Sequence, residues 1–136
     1  MTPELRELLL RAHAAERSGR WGDAAESYSL ALPLMEGDHR LYANLGNALW
    51  LADKPDLARE AYEQAIDLAP GEPLPQRGLG NVLRDLGAFE QANHAYARSR
   101  ALADDPLTAW NHSQLLLGLE RYEDAFKAAE RRLELP

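Results

Sequence analysis

Cysteine is absent from this chain of 136 residues, which excludes a disulfide framework, a thiol nucleophile and any thiolate metal site. That absence suits a reducing compartment. No stretch approaches the roughly eighteen consecutive apolar residues of a membrane-spanning helix. The opening residues MTPELRELLLRAH lack a basic leader and a small-residue cleavage site. The expectation is a soluble, cytoplasmic chain with no membrane insertion. Positive charge is also scarce, with 15 lysines and arginines against 22 acids, and the net charge of −7 argues against nonspecific binding to nucleic acid or anionic lipid. The histidines His13, His39, His94 and His112 have no partner one helical turn away and no cysteine to complete a zinc site, so they read as surface or packing residues, and no metal or cofactor is expected. There is no low-complexity tract, linker or strand pattern.

What is present is a repeat, and the stretch from Leu41 to Pro70, LYANLGNALWLADKPDLAREAYEQAIDLAP, displays it most fully. Tyr42, Leu45, Gly46, Leu49, Ala58, Tyr62 and Ala65 fall at helical spacings on either side of a break at Asp53-Lys54-Pro55. Two packed helices follow from that pattern. Counting from His39 as position 1, the same residue types recur one period earlier at Leu8, Ala12, Gly19, Trp21, Ala24, Tyr28 and Ala31. One period later come Leu79, Gly80, Leu83, Gly87, Phe89, Ala92 and Tyr96. A fourth copy, starting near Pro106 after a slightly shorter period, keeps Trp110, Asn111, Leu116, Tyr122, Ala125 and Ala129 but has His112 and Ser113 where leucine and glycine are usual. The pattern resembles the tetratricopeptide repeat, a helix–turn–helix unit of about 34 residues. The resemblance implies an all-α, right-handed solenoid of about eight antiparallel helices forming one domain, with repeats at approximately 5–38, 39–72, 73–105 and 106–136.

Local signals place the helices. Thr2-Pro3-Glu4 is a capped start with proline at the first helical position. Helix 1A then runs to about Ser18 and 1B from Gly22 to Met35, with Pro33 expected to shorten or kink its end. The remaining pairs are expected at 39–52 and 55–68, at 74–86 and 89–103, and at 107–119 and 122–135. Gly46, Gly80 and the alanines Ala24, Ala58, Ala92 and Ala125 are the small residues that let helix A approach helix B. The last helix would still present Phe126, Ala129 and Leu133, a face suited to self-association or to a following domain.

No catalytic constellation emerges. Gly78-Leu79-Gly80 lies inside a helix and lacks the third glycine of a nucleotide loop. Asn111-His112-Ser113 matches a glycosylation sequon but also falls within a helix. Paired acids such as Asp104-Asp105 sit at helix starts, where they favourably meet the helix dipole, rather than converging in a pocket.

In the family resembled, positions 2, 5, 6, 9, 12 and 13 of the A helices line a concave groove. Here those positions supply Arg6, Arg17, Arg40, Arg77 and Arg84 against two acids, Glu16 and Asp85. They also supply an amide ladder of Asn44, Asn47, Asn81, Asn111 and Gln114, with Trp50 and Trp110 as apolar contacts. Primary amides donate and accept together, so a row of them suits the backbone of an extended peptide, and arginines select carboxylates. The expected peptide-binding residues are therefore Arg40, Asn44, Asn47, Trp50, Arg77, Asn81, Arg84, Trp110, Asn111 and Gln114. Neither Asn44 nor Asn47 is expected to matter to the core.

The family's clamp for the carboxylate of heat-shock chaperones is not reproduced: from the first repeat only Asn44 matches it, and from the second only Asn47. The resemblance implies a non-catalytic module for a peptide or protein partner, and the groove arginines point to an acidic segment. Two alternatives remain open at this point. One is the N-terminal arm of a larger enzyme such as a bacterial glycosyltransferase, because the PLTAWNHSQLLLGLERYEDAF segment resembles the last repeats that precede catalytic domains in some of them. The other is a scaffold that self-associates through its last helix.

Overall fold

The computed structural model describes residues 1–134, with side chains except those at positions 125, 126, 129 and 131–134. The expected self-association residues Phe126, Ala129 and Leu133 are among those exceptions, so that face lies outside the described side chains. The helices are α1 Pro3–Arg17, α2 Trp21–Ala31, α3 His39–Leu51, α4 Pro55–Leu68, α5 Pro73–Asp85, α6 Phe89–Leu102 and α7 Pro106–Glu134. Each of the first six pairs antiparallel with its neighbour, building a solenoid in layers.

Caps and breakers explain the boundaries. Thr2 accepts a hydrogen bond from the Leu5 amide at 3.2 Å, Asp38 accepts from the Arg40 amide at 2.9 Å, and Asp105 accepts from the Thr108 amide at 3.0 Å. Each satisfies an amide left orphaned by the helix start. Pro33 shortens the second helix as expected: α2 stops at Ala31 and a 3-10 turn takes over for Leu32–Leu34.

Inside the first three repeats the turn between paired helices falls at one position. Gly19, Asp53 and Gly87 occupy it with φ of 70°, 61° and 79°, the left-handed region that glycine tolerates freely and aspartate better than most. In the fourth repeat that position holds Glu120. The expected break at 119–122 is absent, and the two helices expected there run on as α7, 29 residues long and about 43 Å at 1.5 Å per residue. Glutamate is a good helix former with a Cβ that resists positive φ, so continuing the helix is the cheaper course.

The core follows the repeat. Tyr28, Tyr62 and Tyr96, at the same position of successive repeats, are 0%, 1% and 0% exposed, and Ala24, Ala58 and Ala92 are each 0% exposed. Gly46 and Gly80 make room for the tyrosines, since a Cβ on either would stand 2.8 Å from the Tyr62 ring or 2.7 Å from the Tyr96 ring. A Cβ on Gly78 would come within 2.5 Å of Tyr62 from the other side. Tyr62 is therefore the wedge that fastens the second repeat to the third.

Candidate functional site

The A helices α3 and α5 border a cleft of about 250 Å³. Six of the expected groove residues line it: Arg40, Asn44, Asn47, Trp50, Arg77 and Asn81. Tyr62, Glu72 and His39 also line it, and the sequence pattern did not place them in the groove. A second cleft of about 330 Å³ lies between the end of α5, the start of α6 and α7. Arg84 and Gln114 border it beside Phe89, Leu115, Leu119 and Tyr122, so it is mainly apolar. Trp110, 63% exposed, lines neither cleft, and Asn111 joins the first only indirectly, donating from Nδ2 to Asn81 Oδ1 at 3.2 Å.

The amide ladder has a polarity that the sequence does not advertise. The Tyr62 hydroxyl donates to Asn47 Oδ1, and the Tyr96 hydroxyl donates to Asn81 Oδ1 at 2.6 Å. In the first repeat the Tyr28 hydroxyl donates to Glu16 at 2.7 Å and lies 3.4 Å from His13. Burial pushes all three phenols up from their ordinary pKa, helped at Tyr28 by Glu16 and opposed by Arg77 at Tyr62 and by Arg84 at Tyr96, so each remains a donor. Asn81 Oδ1 is thus taken up by Tyr96 and Asn111 and Asn47 Oδ1 is held by Tyr62 with one lone pair left, so what these two amides chiefly offer the groove is N–H. The pairing corrects the expectation that Asn47 is dispensable for the core. The Asn44 side chain has no such partner among the described residues.

The arginines are less free than their positions imply. Arg40 pairs with Asp38 at 3.4 Å, Arg77 with Asp105 at 3.9 Å, and Arg84 with Asp85 at 3.4 Å. Asp38 and Asp105 are helix caps, just outside the positions counted as groove, which is why they were not counted among its acids. The Thr108 amide holds Asp105 below the usual carboxylate range, so it stays charged opposite Arg77. These are partly exposed pairs of small net strength, which a ligand carboxylate can displace. Trp50 is also partly engaged, donating from its indole N–H to Asp85 at 2.6 Å and packing its half-buried ring near Tyr62 and Val82.

His112, where the repeat pattern leads one to expect leucine, is a packing residue. It is 8% exposed, bonds Asn93 Oδ1 through Nε2 at 2.5 Å and lies against Tyr96 with ring centroids 5.8 Å apart. Burial, and then the Arg100 guanidinium 3.2 Å from Nδ1, hold its pKa below the ordinary 6.5. Among the described residues no group of three His, Asp or Glu is placed to hold a metal ion, and no helix is long and apolar enough to cross a membrane.

Residues 39–72, which include α3, α4 and one wall of the first cleft, match the sequence model of the tetratricopeptide repeat. The chain carries the tetratricopeptide repeat. A stretch of 79 residues, 58% of the chain, is 27% identical to tetratricopeptide repeat protein 37 of Xenopus laevis, and covers only 5% of that relative's length. The tetratricopeptide-repeat domain of Sgt2 from Aspergillus fumigatus superposes with a TM-score of 0.83 at 19% identity, over 90% of this chain and 83% of that one. The type III secretion chaperone SycD of Yersinia enterocolitica, solved with a peptide of the translocator YopD, superposes with a TM-score of 0.78 at 20% identity, over 87% and 96%. At such identities the structural likeness establishes the fold, which in this chain is the tetratricopeptide-repeat solenoid.

Proposed function

We propose that this chain is a non-catalytic, cytoplasmic interaction module that holds an extended segment of a partner protein in the concave groove. Asn44, Asn47 and Asn81 donate to the segment's carbonyl oxygens, and Arg40, Arg77 and Arg84 bias the choice toward segments carrying carboxylates. Trp110, Asn111 and Gln114 extend the contact along α7. The observation that carries the reading is the first cleft, where six groove residues converge and two amides are fixed by buried tyrosines with their N–H groups left over. Amides already oriented lose little freedom on binding, which favours affinity. SycD, of the same fold, was solved with a peptide of YopD.

The test is selection from a displayed library of random peptides, followed by titration of the enriched peptides. Enrichment of acidic sequences, with binding weakened at least tenfold by Arg77→Ala and reduced by salt, is the expected result. Peptides without acidic bias, bound equally by the native chain and by the Asn44→Ala/Arg77→Ala variant, would move the site out of the groove.

A further inference from the structure

In the first three repeats helix B covers the face of helix A at positions 8 and 11. Ala12, Gly46 and Gly80 are buried at position 8, and at position 11 Ala15 and Leu83 are buried and Leu49 partly so. The fourth repeat leaves the same face bare, with Ser113 exposed at position 8 and Leu116 40% exposed at position 11. The segment that would cover them is residues 122–134, and it continues as the far half of α7. A straight helix cannot lay its second half on its first.

The sequence of that segment retains much of what a covering helix needs. Tyr122, Ala125, Phe126, Ala129 and Leu133 recur at helical spacing, and Ala125 stands at the position where Ala24, Ala58 and Ala92 are each 0% exposed. What is missing is the turn, because Glu120 occupies the place of Gly19, Asp53 and Gly87.

We propose that a second copy of the chain supplies the cover. Two chains exchange residues 122–134, each laying that segment against Ser113 and Leu116 of the other. Both copies carry the same segment and the same bare face, so the exchange is self-complementary and closes as a two-fold dimer. The contacts are those an intramolecular hairpin would make, and only the connection differs. The strain that a left-handed Glu120 would carry therefore decides between hairpin and exchange.

The chain's lack of cysteine allows a clean test. Ser113→Cys with Ala129→Cys reproduces the pair of positions held by Gly80 and Tyr96, which touch across the third repeat. Light scattering on the native chain is expected to give a dimer of twice 15.2 kDa. A short thiol cross-linker on the double-cysteine chain is expected to join two chains. Glu120→Gly, which permits the turn and weakens the straight helix, is expected to raise the dimer dissociation constant roughly tenfold or more and to move the cross-link inside one chain. Circular dichroism of each variant verifies that the solenoid is intact. A native chain that stays monomeric at every concentration would overturn the proposal, whether its own segment or a foreign helix covers the face. So would a dimer indifferent to Glu120→Gly.

Discussion

Replacing Asn47 with alanine removes the acceptor of a hydroxyl whose residue is 1% exposed. Leaving that hydroxyl unpaired is expected to cost about 1–3 kcal/mol, read as a lower midpoint in denaturant. Tyr62→Phe should cost less, because the group it strands is the amide of exposed Asn47, which water satisfies. The reverse order of the two would mean that the bond is not what holds the ring. On the far side of the same ring, Gly78→Ala is expected to destabilise by about 1–3 kcal/mol, since the added Cβ meets Tyr62 at 2.5 Å and must displace a packed aromatic. Unchanged thermal stability of Gly78→Ala would show that Tyr62 is not wedged as described. The residues themselves were visible as a repeating pattern, but the bond was not. A hint existed: Tyr28, Tyr62 and Tyr96 each follow His13, Asn47 and Asn81 by 15 residues. That spacing becomes a contact only once the helices fold antiparallel.

At the scale of the element, the first three hairpins were legible within a residue or two, except at the end of the second helix, expected at Met35 and found at Ala31. Proline and glycine punctuation agrees there with the apolar period. The fourth was not, because apolar spacing alone cannot report whether a turn residue tolerates positive φ, and Glu120 does not. The joint between α6 and α7 also departs from the usual pattern through His112. The unfolded chain takes up a proton near the ordinary 6.5, whereas the folded chain resists it until lower pH, with Arg100 facing Nδ1 and Asn93 fixing Nε2. The unfolded state therefore binds more protons in that window, and stability falls as the pH drops through it. Thermal denaturation between about pH 7 and pH 5 should show this loss, and His112→Leu should remove most of it while leaving the carboxylate-driven loss at lower pH. An unaltered pH profile in His112→Leu would contradict the assignment.

For the whole molecule, stability is shared between neighbouring layers rather than gathered in one core. Helices α3 to α6 have neighbours on both sides, while Arg121, Tyr122, Glu123 and Asp124 on α7 are all exposed. Hydrogen exchange is expected to be slowest in α3 to α6 and fastest beyond Gly118 in dilute solution, and uniform protection along α7 would show that its far half is already covered there. The proposed function lies on the surface that runs across these layers, where six of the ten expected residues line one cleft and their polarity was not foreseen. The sequence pattern located Asn44, Asn47, Arg40 and Arg77 in one groove, but it offered no sign that tyrosines or helix caps would claim part of their bonding capacity. Asn44 and Asn47 therefore separate binding from folding. With a peptide selected on the native chain, calorimetric affinity and melting temperature are measured for Asn44→Ala and Asn47→Ala side by side. The account predicts that Asn44→Ala loses affinity at an unchanged melting temperature, while Asn47→Ala loses both. Full affinity in Asn44→Ala, or equal losses of stability in the two variants, would contradict it.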